Sequence, residues 1–188
     1  MSITRLTPAI IAALCAPFAL ILTTPTAQAS CAPITLGVGG SGDPTSTHLP
    51  VPAGYTPVPW AAPGIPSDQS QAQGRAALKQ AIARARAECS SRRIDVVGYS
   101  AGAKVAGDVC DVRPGVHCTL IADPRRPGGI EANYPSLLPG YTNAPARAPR
   151  PNTTQVCASH DWVCDAPNVF ADPAGAVQSA IGVVTGRH

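Results

Sequence analysis

The sequence predicts an α/β protein whose core is a central, mostly parallel β-sheet. Short, entirely apolar segments alternate along the chain with segments of helical character, which is typical of parallel strands covered by helices. The predicted strands are 34–38, 94–97, 119–122 and 153–157, with a short fifth near 55–58, and the predicted helices are 69–88, 103–109 and 174–185. No internal repeat is visible, and residues 30–188 are predicted to form a single domain.

The first predicted strand, 34–38, is an apolar run that ends in the tight glycine loop Gly39-Gly40-Ser41-Gly42. Residues 43–66 carry seven prolines, so we expect a loop there. The helix that follows is predicted to be capped by Asp68 together with Gln71. Its apolar stripe is predicted at Ala72, Ala76, Ile82 and Ala85.

The later elements are predicted in the same way, from apolar runs and from stretches rich in proline and glycine. The apolar strand 119–122 ends at Asp123-Pro124, which opens a loop rich in proline, arginine and glycine. Residues 135–151 hold five more prolines and are predicted to be irregular. The last helix, 174–185, is only weakly amphipathic.

Residues 1–29 have the features of a cleaved secretory signal peptide. Arg5 precedes an apolar stretch of about 15 residues, and Ala27-Gln28-Ala29 is a small-x-small cleavage site. The stretch is shorter than the roughly 20 residues that span a bilayer, which argues against a transmembrane anchor. The mature chain is therefore predicted to begin at Ser30 and to be secreted, either extracellular or in the cell envelope.

Six cysteines remain in the predicted mature chain. An even number in an exported protein predicts three disulfides, and the sequence alone leaves 15 pairings open. No two cysteines are spaced as in a zinc finger, so we expect no metal. The net charge of +3 is too small to indicate a nucleic-acid partner. The cysteines are Cys31, Cys89, Cys110, Cys118, Cys157 and Cys164.

The motif that carries chemistry is Gly98-Tyr99-Ser100-Ala101-Gly102, a G-x-S-x-G pattern between a predicted strand and a predicted helix. This context is typical of a nucleophile elbow, in which a strained turn exposes the serine hydroxyl beside a helix N-terminus. A serine hydroxyl is a weak nucleophile, so a histidine base and an orienting carboxylate are required elsewhere. Ser100 is the predicted nucleophile.

In this kind of site the chain order is serine, acid, histidine. Asp161 is the predicted acid because a Cys157–Cys164 disulfide would hold its loop rigidly, and Asp165 is its main rival. His188 is the predicted base by chain order. His160 is the runner-up, but it adjoins Asp161, and neighbouring side chains in an extended loop diverge.

Together these residues resemble the cutinase-like serine esterases, and more narrowly the actinobacterial PE-PPE-domain branch of the α/β-hydrolases. The resemblance is carried by 97–103 around Ser100, by 157–164 around Asp161, by the 120–130 stretch that contains Asp-Pro-Arg-Arg-Pro-Gly-Gly, and by the glycine loop 39–42. It implies a three-layer α/β-hydrolase sandwich with a Ser-His-Asp triad and no cofactor. These matches span most of the predicted mature chain.

The resemblance also assigns roles to individual residues. Ser100 matches the nucleophile, Asp161 the acid and His188 the base, while the amides of Ser41 and Ala101 match the oxyanion donors. It implies the disulfides Cys31–Cys89 and Cys157–Cys164, which leaves Cys110 and Cys118 as the third pair. The chain departs from the family at position 101, where glutamine is usual, and His188 is its final residue. The short region between the glycine loop and the elbow predicts a shallow acyl pocket without a lid.

The function expected from the sequence is that of a secreted, monomeric serine esterase that hydrolyses or transfers acyl groups of carboxylic esters or lipids. It would need no cofactor and no nucleic acid, and a peripheral contact with cell-envelope lipid is expected. One alternative is a truncated, catalytically degenerate hydrolase scaffold that binds envelope lipid. Another is a structural, disulfide-rich exported domain in which the elbow motif is a coincidence.

Overall fold

A computed structural model describes residues 31–136 and 138–184, and its centre is a five-stranded sheet in the order β2-β1-β3-β4-β5. Every pairing between neighbouring strands is parallel. The strands are β1 Ile34–Val38, β2 Thr56–Pro57, β3 Ile94–Tyr99, β4 His117–Ile121 and β5 Thr153–Val156. The predicted parallel sheet and its strands are confirmed. The predicted signal peptide, 1–29, lies outside the described residues.

Four helices accompany the sheet: α1 Asp68–Glu88, α2 Ala101–Cys110, α3 Ile130–Asn133 and α4 Pro173–Val184. α1 and α2 pack against each other, and α2 also packs on β3 and β4. Alternate residues of β3 are buried, and Gly98 among them contacts α2 directly. The single turn α3 was not predicted from the sequence. Within the described ranges, no helix is long and apolar enough to cross a membrane.

The start of α1 differs from its prediction. Ser67 is the N-cap: its hydroxyl accepts a hydrogen bond from the Ser70 N–H, and the Ser70 hydroxyl accepts one from the Ser67 N–H. Asp68 lies one residue too late to cap, and its carboxylate binds Thr142 instead. Gln71 is buried, with its side-chain amide directed at the Ala101 carbonyl.

The buried face of α1 also differs from the predicted stripe. Ala72 and Ala76 are exposed, whereas Ile82 and Ala85 are buried as predicted. Alanine packs well on either face of a helix, so it is a weak guide to orientation. Gly74 allows α1 to lie close to Trp60 and to Val105 of α2, because an added Cβ would be 2.8 Å from both side chains.

Three disulfides cross-link the described chain. Cys31–Cys89 ties the residues before β1 to the end of α1, and Cys110–Cys118 ties the end of α2 to β4. Cys157–Cys164 closes the loop that follows β5. Cys31–Cys89 and Cys157–Cys164 are the pairings that the family resemblance implies, and Cys110–Cys118 is the pair that they leave. Cross-links of this kind stabilise a fold chiefly by restricting its unfolded chain.

A buried arginine holds the proline-rich segment after α3 against the sheet. The Arg147 side chain is 1% exposed, and its Nε donates a 2.9 Å hydrogen bond to Asp123, which is itself fully buried. The same guanidinium pairs with Asp108 and Asp111 near the end of α2. Gly107 makes room for it, because a Cβ there would lie 2.3 Å from the guanidinium carbon.

We expect Arg147→Met to lower the free energy of unfolding by about 3–5 kcal/mol, because it leaves the buried Asp123 carboxylate unpaired. Arg150→Met is the matched control: Arg150 also pairs with Asp111, but its side chain is 48% exposed, so its loss should cost about 1 kcal/mol or less. Urea unfolding of the oxidised protein measures both values. Equal losses in the two variants would contradict the assignment of Arg147 as the main anchor.

Candidate active site

The turn between β3 and α2 places Ser100 in a strained, partly exposed position. Ser100 has φ 53° and ψ −122°, a conformation that residues with a side chain rarely adopt. Its N–H still continues the sheet by donating to the Ile121 carbonyl at 2.9 Å, while its carbonyl already accepts from Ala103 in α2 at 2.8 Å. Backbone strain of this kind is characteristic of functional turns.

The two glycines of the motif are required by close packing. An added Cβ on Gly98 would lie 2.5 Å from the Gly102 carbonyl oxygen. One on Gly102 would lie 2.3 Å from the carbonyl oxygens of both Val38 and Gly39. Such distances exclude any side chain, so α2 can begin directly above the ends of β1 and β3 only with glycine at both positions.

Two backbone segments converge beside Ser100. Ala101 is the first residue of α2, where a helix leaves N–H groups without an internal partner and carries partial positive charge. From the other side comes the glycine loop after β1, where an added Cβ on Gly40 would lie 3.2 Å from the Ser100 Cβ. Ser41 and Ala101 both line the same cavity as Ser100.

The glycine loop is held in place by buried polar groups. The Asp43 carboxylate accepts hydrogen bonds from the N–H groups of Thr47 and His48, at 3.1 and 2.9 Å. Burial raises the pKa of Asp43, but these hydrogen bonds outweigh it and leave the pKa below its ordinary value of 3.8. Ser46 accepts from the Gly39 N–H, and Trp60 donates to the Gly39 carbonyl.

The cavity at Ser100 has a volume of about 180 Å³ and a mostly apolar lining. Most of its lining residues come from the chain after β4, between Pro124 and Asn143, and Ser41 and Pro66 come from the region before the elbow. The shallow pocket without a lid stays a prediction. Besides Ser41, Ser100 and Ala101, the lining residues are Pro66, Pro124, Ile130, Glu131, Tyr134, Pro135, Leu138, Tyr141, Asn143 and Val163.

Asp161 lies in the loop after β5, at the same carboxyl edge of the sheet as Ser100. Its side chain is buried, and one carboxylate oxygen accepts from the Val163 N–H at 2.8 Å. The loop is bound to the segment before α3, since the Ile130 N–H donates to the Val163 carbonyl. Burial raises the pKa of Tyr99, and the Asp161 carboxylate raises it further, which places that charge near the residue preceding Ser100.

Two other carboxylates near this edge of the sheet, Asp165 and Asp123, have partners of their own. Asp165 accepts from the His160 N–H at 2.9 Å and lies 3.9 Å from the Arg126 guanidinium. Asp123 is buried against Arg147 and also accepts from the Arg125 N–H, so it combines the predicted turn role with an ion pair. The predicted base, His188, lies outside the described residues.

One group of potential metal ligands, Cys157, Asp161 and Cys164, is close together in the part of the chain that the structure describes. Its two sulfurs form a disulfide and are therefore not available as thiolate ligands.

Sequence reasoning missed a cluster of buried polar and charged residues at the cavity wall. Lys104, Glu131 and Tyr141 form a buried cluster there. The sequence signal was limited to a lysine inside the largely apolar helix 103–109, because the residues that pair with it are distant along the chain.

The class of fold is identified by one solved structure with a similar architecture. A cutinase-like protein from Cryptococcus sp. matches with a TM-score of 0.51 at 20% identity, over 82% of this chain and 93% of that one. An acetyl xylan esterase gives 0.48 at 19%, over 85% and 100%, and lysin B from Mycobacteriophage D29 gives 0.46 at 16%, over 79% and 73%. The fold is that of the cutinase-like α/β-hydrolases.

The family follows from the sequence itself. The PE-PPE domain matches residues 43–184, which is most of the chain. The chain therefore belongs to the PE-PPE domain family, and the resemblance stated from its motifs is confirmed. No curated protein matches the chain in sequence.

We expect Asp43→Asn to destabilise the protein by about 1–3 kcal/mol at neutral pH, because the charged acceptor of the glycine loop is lost. Folding lowers the pKa of Asp43, so its stabilising effect is present above 3.8 and disappears as the pH falls from there through the lowered value. Urea unfolding at a series of pH values should show the difference between wild type and variant shrinking in acid. The surface variant Asp95→Asn is the control and should lose less at neutral pH. A difference that grows in acid would refute the assignment.

Proposed function

We propose that this protein is a secreted serine esterase that hydrolyses or transfers the acyl group of a carboxylic ester or lipid. The observation that carries the proposal is Ser100, held with positive φ between β3 and α2 at a mostly apolar cavity. The first amide of α2 and the glycine loop border the same cavity. A nucleophile, an apolar site for an acyl group and backbone N–H donors are the parts that acyl transfer requires.

In the proposed reaction the Ser100 hydroxyl attacks the ester carbonyl while a histidine, His188, removes its proton. The oxyanion that forms on the carbonyl oxygen is stabilised by the N–H groups of Ser41 and Ala101. The imidazolium returns the proton to the leaving alcohol, and Asp161 orients the ring and stabilises its charge. Water or a second alcohol then attacks the acyl-serine, and Ser100 leaves as the alcohol.

Asp161 is favoured over Asp165 by its surroundings. It is buried, its loop is closed by the Cys157–Cys164 disulfide, and Val163 beside it lines the Ser100 cavity. Asp165 is half-exposed and near Arg126. The role of His188 rests on chain order and on the family resemblance.

We also propose export as a single domain, residues 30–188, that acts as a monomer. The three disulfides support an oxidising compartment, because such bonds are rare in the cytosol. The signal-like features of residues 1–29 support the same localisation. The proposed chemistry requires neither metal nor organic cofactor, and contact with envelope lipid would follow from a lipid substrate.

The first test is hydrolysis of p-nitrophenyl butyrate by the oxidised mature chain, with Ser100→Ala beside it. We expect the variant to lose roughly 10⁴-fold or more in kcat, because the nucleophile is gone. Ser90→Ala, an exposed serine on the turn after α1, is the matched control and should keep full activity. A folded wild type without turnover, and without labelling of Ser100 by a serine-directed phosphonate, would reject the esterase and favour a lipid-binding scaffold.

The second test separates the two candidate acids. Asp161→Asn should lower kcat by about 10⁴-fold, as expected when the residue that fixes the histidine tautomer is lost. Asp165→Asn carries the same chemical change in the same loop and should alter kcat by only a few fold. The reverse order of effects would transfer the role to Asp165.

A further inference from the structure

A buried ion pair lies at the wall of the cavity, and one of its members, Glu131, lines it. The side chains of Lys104 and Glu131 are 5% and 2% exposed, and Nζ lies 2.9 Å from Oε2. The other carboxylate oxygen accepts from the Tyr141 hydroxyl, and Oε2 also accepts from the Ala144 N–H at 2.9 Å. Lys104 further donates to the Thr142 carbonyl and lies 4.1 Å from the centre of the Tyr141 ring.

This cluster joins the wall of the cavity to the helix that carries the nucleophile. Lys104 is one turn after Ser100 on α2, and its N–H donates to the Ser100 carbonyl at 3.3 Å. Glu131 belongs to α3, whereas Tyr141 and Thr142 belong to the irregular segment that follows. Thr142 is also bound by Asp68 at the start of α1, through hydrogen bonds of 2.9 and 2.8 Å.

Tyr141 is the member of the cluster that shapes the cavity. Its ring lines the cavity together with Glu131 and is almost fully buried. Burial raises the pKa of its hydroxyl, and the Glu131 carboxylate raises it further, so the hydroxyl remains a hydrogen-bond donor at any working pH. The ring is thus held by Glu131 at one end and by the Lys104 ammonium over its face.

Stability alone does not explain such an arrangement. The desolvation of two charges roughly cancels their attraction, and apolar replacements of a buried pair are often neutral or stabilising. The pair instead gives a fixed position to the Tyr141 side chain, which both of its members contact. The cavity that these side chains border is small, with a volume of about 180 Å³.

We propose that Glu131, held by Lys104, is a specificity-determining residue that fixes Tyr141 as the end wall of the cavity and thereby restricts the substrate to short acyl groups. This inference rests on the proposed esterase function. It adds that the limit on acyl length is set by the segment after α3 and not by the residues next to Ser100.

The test is a chain-length ratio, defined as kcat/KM on p-nitrophenyl octanoate divided by kcat/KM on p-nitrophenyl acetate. We expect Tyr141→Ala to raise this ratio by about tenfold or more, since even one methylene in a pocket changes discrimination by that factor. Glu131→Gln should raise it in the same direction, because the ring loses its charged anchor. If Glu131→Gln fails to fold, the double variant Lys104→Met/Glu131→Leu replaces it, because that variant leaves no unpaired buried charge.

Two controls separate specificity from a general loss of structure. Glu88→Gln makes the same chemical change at an exposed site on α1 and should leave the ratio as in wild type. Arg147→Met removes a buried ion pair whose members do not line the cavity, so both esters should lose activity in parallel.

The outcomes are distinguishable. An active wild type whose ratio is unchanged in Tyr141→Ala, or in both charge variants, overturns the inference and leaves the esterase function standing. A wild type that turns over neither ester, and whose Ser100 is labelled by neither an ethyl nor an octyl phosphonate, overturns the function and the inference with it. A raised ratio in Tyr141→Ala and in a charge variant supports both.

Discussion

The close approach of α2 to the ends of β1 and β3 is the constraint on which the candidate site depends. Gly102 lies so near the carbonyls of Val38 and Gly39 that no side chain fits, and Gly98 meets the helix in the same way. A chain that leaves β3 and enters α2 at this distance must turn sharply, which is why Ser100 has a positive φ. The same contact brings the glycine loop beside the first turn of α2. One packing contact therefore fixes the proposed nucleophile, Ser100, relative to the proposed oxyanion donors.

Charged groups and disulfides add to apolar packing where the chain has little secondary structure. The segments 39–66 and 134–151 are rich in proline and mostly irregular. The first still contributes Val58 and Trp60 to the hydrophobic core. Asp43 binds the first of them through backbone N–H groups, and Glu131 and Arg147 bind the second. Buried charged groups specify a single geometry, because any other arrangement would leave one of them unpaired. The cavity wall is positioned in this way.

The parts of the fold that were predictable from the sequence are those with local causes. The apolar strands, the proline-rich loops and the elbow around Ser100 each follow from a few neighbouring residues. The cap of α1 was assigned to Asp68 one residue too late, because Ser67 and Asp68 carry equally good capping side chains. Glu131 and Arg147 had no local signal, since the side chains that they bind lie 10 to 39 residues away along the chain. Such contacts become visible only when the sheet has brought its connections together.

In the proposed reaction, residue 101 contributes its backbone N–H, and its side chain has no role in the chemistry or in the choice of substrate. The N–H of Ala101 is a backbone group whose direction is set by the Ser100 turn and by the contact of Gly102 with β1, so no side chain at 101 is needed to aim it. Behind the turn, the buried amide of Gln71 approaches the Ala101 carbonyl at 3.5 Å. A methyl group at 101 contributes little to the shape of the cavity. In the proposed function, discrimination between acyl groups would depend on the wall around Tyr141, which can change without altering the backbone geometry of the proposed reaction.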